Sequence, residues 1–256
     1  MVLVMSLTAV AAPILAPEDP TRQNYDAVLA PLSLDHPLGT DRLGRDTLSR
    51  LMHGARTSLA VGVLTQLIVV AIGIPVGVIA GFTTPHGGNL IMRAVDVVYA
   101  LPDLLFIILL RAIFGGNLFM MIMAIGLVSW PTVARLVRGQ TLSLKEREFI
   151  LAAREIGASE PRIILHHLLP NSLGPVIVAV TFLVPRAIFA EAALSYIGIG
   201  VMSPTPSWGS MVQEGYSVIF VSYEQVLFPT IAIAMVMMAF TFLGDGLRDL
   251  LDPRSG

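Results

Sequence analysis

Six apolar runs, each near the roughly 20 residues that a helix needs to cross a hydrocarbon layer, recur along this chain and leave few folds open to it. They cover approximately residues 1–17, 57–82, 94–114, 117–138, 172–200 and 226–247. A segment that crosses lipid must satisfy its backbone hydrogen bonds internally, which selects helices. The composition agrees, since only 13% of residues are charged, against about 25% in soluble domains. The expectation is an all-α membrane protein of about six transmembrane helices.

The first run is the weakest, being short and free of charge from Met1 to Ala12. Its small residues around Ala11, Ala12 and Ala16 suit a signal peptide, but such peptides open with a basic region that is missing here. A first span, cut short at its start, is the preferred reading. Glycine and proline within the runs (Gly73, Pro75, Gly77, Pro131, Pro185) are read as kinks and close-packing points, which membrane helices tolerate.

Arginine and lysine set the orientation. With the N-terminus inside, inner segments hold Arg93, Arg135, Arg138, Lys145, Arg147, Arg154, Arg162, Arg248 and Arg254. Outer segments hold Arg22, Arg42, Arg45, Arg50 and Arg56. The bias favours both termini in the cytoplasm. No internal repeat is visible, whereas an inverted repeat would favour a secondary carrier.

The longest inner polar stretch separates the fourth and fifth runs. From Lys145 to Ile156 it reads as a helix, with Phe149, Ile150, Ala153 and Ile156 forming one apolar stripe. Ala152 and Ala153 keep one side thin, and Gly157 is a good stop because a left-handed residue costs glycine nothing. Such a helix can lie on lipid, pack beneath its own bundle, or dock into a groove on a partner.

Ala152-Ala153-x3-Gly157, followed by His167-x-Leu169-Pro170, resembles the EAA loop of binding-protein-dependent ABC importer permeases. The usual leading Glu is Leu151 here, as is common in peptide-type members. Four further regions resemble the dipeptide, oligopeptide and nickel group in the same order. They are His36–Asp46, Trp130 with Ala134–Gly139, Glu191–Gly200 with Pro204–Gly209, and Gly244–Pro253. The similarity is to the C-type permease of that group.

The resemblance implies a MetI-like type I importer fold with a cytoplasmic coupling helix that sits in a cleft of an ATPase subunit. It assigns Glu148, Phe149, Ala152, Ala153, Arg154, Gly157, His167 and Pro170 to that coupling region, about residues 139–170. It implies a homologous second permease subunit, two ATP-binding subunits that use ATP and magnesium, an extracytoplasmic substrate-binding protein, and a bacterial or archaeal plasma membrane. The first 56 residues would be a first span plus an external segment, and residues 57–256 the core permease domain. Cargo stays open among dipeptides, longer peptides, nickel chelates and glutathione-like solutes.

Other residues carry two readings each. Around 42–56, Asp46 suits a helix cap and pairs in register with Arg50; the stretch reads as an interfacial helix, or as an external docking surface or brace. Arg186 and Glu191 lie in the fifth run and are candidates for the translocation path, or a structural pair. Arg111 suits an outer helix end, Asp96 and Asp103 a wet inner one, and Trp208 an external interfacial anchor. His166 and His167 are adjacent, point in different directions and have no third ligand nearby, so no metal site is expected. With no cysteine, no phosphate-binding Gly-x4-Gly-Lys motif and no catalytic triad, neither a catalytic residue nor a directly bound cofactor is expected. The net charge of −2 gives no sign of a nucleic-acid partner. An ion-coupled carrier and a membrane subunit that only recruits a partner are the rival classes.

Overall fold

The computed structural model describes residues 1–115 and 117–251. Arg254 and the Asp252-Pro253 end of the last motif lie outside the described residues.

The chain is built on helices: α1 Val2–Leu15, α2 Thr47–Phe82, α3 Pro85–Tyr99, α4 Asp103–Phe114, α5 Leu118–Leu144, α6 Glu148–Glu155, α7 Glu160–Ile163, α8 Leu169–Tyr196, α9 Trp208–Tyr216 and α10 Glu224–Leu251. A five-residue π-helical turn, Ile164–Leu168, joins α7 to α8. Helices α2, α5 and α10, and the continuous rod Glu160–Tyr196, are long and apolar enough to span a membrane. Helix α1, at 14 residues, rises only about 21 Å and is shorter than the expected first span.

The third expected span, 94–114, is broken. Helices α3 and α4 meet at an 81° bend. Pro102 supplies the cause, because a proline disfavours helical geometry in the residue before it. Asp103 in the first turn of α4 and Arg111 in its last both suit the helix dipole. The run stays apolar on both sides of the bend, so hydropathy alone does not mark it.

Helix α2 is the axis. Gly73, Gly77 and Gly81 repeat at four-residue intervals, so they share one face, and α5 lies directly on it. A Cβ at Gly73 would stand 2.9 Å from Val133, one at Gly77 2.6 Å from the Ala134 carbonyl oxygen, and one at Gly81 2.4 Å from Thr141. On another face Gly62 admits Ile188 and Val184 of α8, and Gly54 admits Ser207 and Trp208. Small residues let helix backbones approach where lipid supplies no hydrophobic drive.

Helix α2 also begins ten residues earlier than the expected span. Asp46 caps it, its side chain accepting from the Ser49 N–H at 2.7 Å. Residues 47–56 are thus the first turns of α2, not a separate interfacial helix, and the expected division at residue 56 falls inside a continuous rod. The connections place α9 and residues 17–46 at one end of the bundle, and α3, α6 and α7 at the other.

Gly77→Ala should lower the thermal midpoint of the purified chain, matching a loss of about 1–3 kcal/mol from overpacking. Gly139→Ala, whose Cβ meets nothing within 4 Å, should leave it unchanged or raise it. Equal midpoints for the two variants would contradict the close approach of α2 and α5.

Candidate functional site

At the α6 end, a short helix hangs beneath the bundle. Lys145–Arg147 is a turn rather than the helix start, so the expected helix of 145–156 is shortened to Glu148–Glu155. Ile150 and Ala153 are buried against Ile163, with Phe82 and Ala158 packed beside them. Phe149 and Ile156 are not part of that seam; Phe149 is 42% exposed and Ile156 86%. The 100° step between residues allows only the 150/153 edge to face inward, and the others turn away.

Gly157 takes φ +85°. Its N–H donates to the Arg154 carbonyl at 2.9 Å, and the Ala158 N–H to the Ala153 carbonyl at 3.0 Å. These two bonds, with Ala158 packed beside Ala153, make a Schellman cap. Arg154 pairs with Glu160 at 3.2 Å, and its guanidinium lies 6.0 Å from the centre of the Phe82 ring. Lys145 Nζ donates to the Gly81 carbonyl at 3.2 Å. The helix is therefore tied to the end of α2 as well as to α5 and α7.

Glu148, Phe149, Leu151, Ala152, Arg154, Glu155 and Ile156 all face outward. Glu148 stands in the first turn, where the dipole favours a carboxylate. Leu151, 47% exposed, belongs to this apolar surface, although sequence reasoning noted it only as a motif departure. His167 is half-buried in the π turn and Pro170 is exposed in the first turn of α8. Pro170 has no N–H to donate, and Asn171 Nδ2 donates to the His167 carbonyl at 2.5 Å.

At the opposite end, the expected partners change. Arg50 does not pair with Asp46. Arg45 and Arg50, both 2% exposed, share Asp41 and Glu214. Asp41 Oδ2 accepts from Arg45 Nε at 2.6 Å and Arg50 Nη1 at 2.8 Å. Glu214 Oε2 accepts from Arg50 Nη2 at 3.0 Å and from Arg45 Nη2. The two arginines are consumed in a four-charge knot that binds residues 41–45 and the start of α2 to α9. Burial pushes the Glu214 carboxyl above its ordinary range, and Arg45 draws it back. Gln225 Nε2 donates to the Thr40 carbonyl at 3.1 Å, adding α10.

Trp208 is also buried, at 2% exposure, and is no interfacial anchor. Its Nε1 donates to the Leu51 carbonyl at 3.0 Å.

Arg186 and Glu191 do not pair with each other. Arg186 pairs with Asp103. Glu191 is fully buried, accepting from Ser58 Oγ at 3.0 Å and Ser195 Oγ at 2.7 Å. Ser58 Oγ accepts from the Trp208 N–H at 3.2 Å, so this carboxyl joins α2, α8 and α9. Arg111 is likewise buried, donating to the Asn117 carbonyl at 2.8 Å and the Gly200 carbonyl at 2.6 Å. Among the described residues, no three His, Asp or Glu side chains are grouped to hold a metal ion.

Arg50→Met strips a cation from two buried carboxylates and should destabilise the chain by about 3–5 kcal/mol, read as a lower thermal midpoint and faster proteolysis within 17–46. Arg42→Met, at an exposed position, should change stability by less than about 0.5 kcal/mol. A midpoint for Arg50→Met no lower than for Arg42→Met would remove the knot as a stabilising element.

Residues 73–256 match the model of the family described as binding-protein-dependent transport system inner membrane component. The chain is 42% identical over 255 residues to the dipeptide transport system permease protein DppC of Bacillus subtilis (strain 168), covering 99% of this chain and 80% of that protein. It is 39% identical over 254 residues to the oligopeptide transport system permease protein OppC of the same strain, covering 99% and 83%. It is 41% identical over 254 residues to the glutathione transport system permease protein GsiD of Escherichia coli O6:K15:H31 (strain 536 / UPEC), covering 99% and 84%. Among solved structures, an inward-facing MetNI methionine ABC transporter chain matches with a TM-score of 0.64 at 20% identity, over 79% of this chain and 96% of that one. A chain of an amino acid ABC transporter matches with a TM-score of 0.59 at 16% identity, over 78% and 92%.

Proposed function

The chain belongs to the family of binding-protein-dependent transport system inner membrane components, and from that premise we propose that it forms one half of an ATP-driven import path for peptides or kindred small solutes. It is a multi-pass inner-membrane protein and a permease subunit of an ABC transporter, with hydrolysis carried out on a separate subunit.

The observation that carries the mechanism is α6. Its inner edge is locked onto the bundle through Ile150 and Ala153, while Phe149, Leu151 and Ile156 stand in the open. A charged-and-apolar outer face on a capped, eight-residue helix suits insertion into a groove on a partner better than it suits solvent. In this reading one ATPase subunit grips that face, with Glu148, Arg154 and Glu155 at its rim and Ala152 allowing close approach. A second ATPase grips the equivalent helix of a homologous permease subunit. ATP-driven closure moves α6 as a rigid piece and switches the path between its two sides.

The α6 end is then cytoplasmic, both termini face the cytoplasm, and the knot at the other end meets the external binding protein that delivers cargo. Peptides are the favoured cargo because the similar relatives named above include dipeptide and oligopeptide permeases. The glutathione permease is kindred, since glutathione is itself a small peptide.

The chain has no cysteine, so Ala152→Cys gives one labelling site. It should react with a membrane-impermeant maleimide from the cytoplasmic side only, and the assembled ATPase should shield it. Phe149→Asp combined with Ile156→Asp should abolish co-purification of the ATPase and cut ATP-driven uptake at least tenfold. Labelling from the extracytoplasmic side, or full ATPase binding by the double variant, would refute the docking role.

A further inference from the structure

Two charged side chains stand in the open at the wrong depth for lipid. Asp103 lies 11 residues before Phe114 on α4, and Arg186 lies 10 residues before Tyr196 on α8. At 1.5 Å per residue these positions are about 17 and 15 Å from their helix ends. Those ends belong to one face of the bundle, because Arg111 near the end of α4 bonds the carbonyl of Gly200 just beyond α8. Half of a ~30 Å hydrocarbon core is about 15 Å, so with the Tyr196 end of α8 at the outer boundary the pair falls near the midplane.

Arg186 Nη2 donates to Asp103 Oδ2, yet the two side chains remain 57% and 40% exposed. A charge facing acyl chains at that depth costs several kcal/mol. Buried packing was available to the chain elsewhere, as Glu191 shows only five residues further along α8. The exposed pair must therefore meet water or a polar partner. Toward the α6 end, further charges stand exposed between α3 and α5: Arg135 lies 3.8 Å from Asp96 and over the Tyr99 ring at 4.7 Å, and Arg138 donates to Asn89 at 2.6 Å. The outward residues of α1, and of α10 between residues 225 and 244, make a contrast, with Leu3, Leu7, Met235 and Phe242 exposed and no charge in either stretch.

We infer that Asp103 and Arg186 form a cargo-binding charge pair at the middle of the path, selective for solutes that carry both an ammonium and a carboxylate. The inference rests on the chain being half of an import path. The guanidinium presents a fork that matches a carboxylate, and Asp103 presents an acceptor for an ammonium group. A zwitterion replaces both partners at once, so the pair opens without leaving either charge bare. A lone anion or a lone cation satisfies one partner and strands the other, at the cost of an unpaired charge. The two ends of a peptide meet this requirement, and the pair closes again behind them.

The test uses the whole complex in proteoliposomes: this chain, its second permease subunit, the ATPases and the binding protein, with a dipeptide as cargo. Asp103→Cys and Arg186→Cys should react with water-soluble charged thiosulfonates at least ten times faster than Met235→Cys, a control at similar depth on α10. Labelling of Phe189→Cys, an exposed position one turn beyond Arg186 that leaves both charges in place, should slow severalfold when dipeptide-loaded binding protein and ATP are present. Arg186→Gln should lower dipeptide uptake at least tenfold while the thermal midpoint stays within a few degrees. Positions 103 and 186 reacting as slowly as 235, or labelling indifferent to cargo, overturns the inference, as does wild-type uptake by Arg186→Gln. Absence of ATP-driven uptake by the unaltered complex would count instead against the import reading itself.

Discussion

Close backbone contact along α2 is the constraint on which the rest of the molecule depends. In lipid there is little to gain from pressing one apolar side chain against another, so association relies on dense packing and buried polar bonds. Three glycines four residues apart bring α5 against α2, and Gly62 and Gly54 do the same for α8 and α9. Every other placement follows from this axis. The broken α3–α4 pair leans on α5, α10 closes over α8 and α9, and α6 hangs from the junction of α2 and α5.

Charge is rationed in such a chain, and its few ion pairs serve different ends. Asp41, Arg45, Arg50 and Glu214 are desolvated together, and removing one partner leaves its neighbours bare. Their work is to hold an otherwise irregular segment onto the helices. Asp103 and Arg186 are open and link α4 to α8 where those helices have little other contact. The same two residue types thus act as masonry at one end and stand open to water in the other pair, and on the inference drawn above solvent exposure is what separates the roles.

Much of this was legible from residue types whose preference is local. Gly157 announced a left-handed stop and takes one; Asp46 announced a cap and makes one. The apolar runs announced the spans, because hydrocarbon allows little else. Partners far apart in sequence were not legible. Glu214 lies 169 positions from Arg45, so local spacing pairs Arg50 with Asp46 instead, and Trp208 reads as an interfacial anchor although it fills a gap above Gly54. The α6 stripe went astray for another reason. Periodicity marks apolar residues but does not say which of them the parent bundle covers, and here Phe149 and Ile156 are left out. The bend at Pro102 was written in the chain, but Leu101 and Leu104 keep the run apolar on both sides of it, so hydropathy does not mark the break.

Helix α2 runs unbroken for 36 residues, about 54 Å, well beyond the thickness of the hydrocarbon. Its last residue, Phe82, beds into α6, and its first turn holds Arg50 in the charge knot beside α9. Pro75 lies within α2 between Gly73 and Gly77, where the helix lacks one backbone hydrogen bond and can bend. A displacement entering beneath the bundle therefore reaches the far rim through that joint, which divides the rod into a short arm bedded on α6 and a long arm that meets α8 and α9.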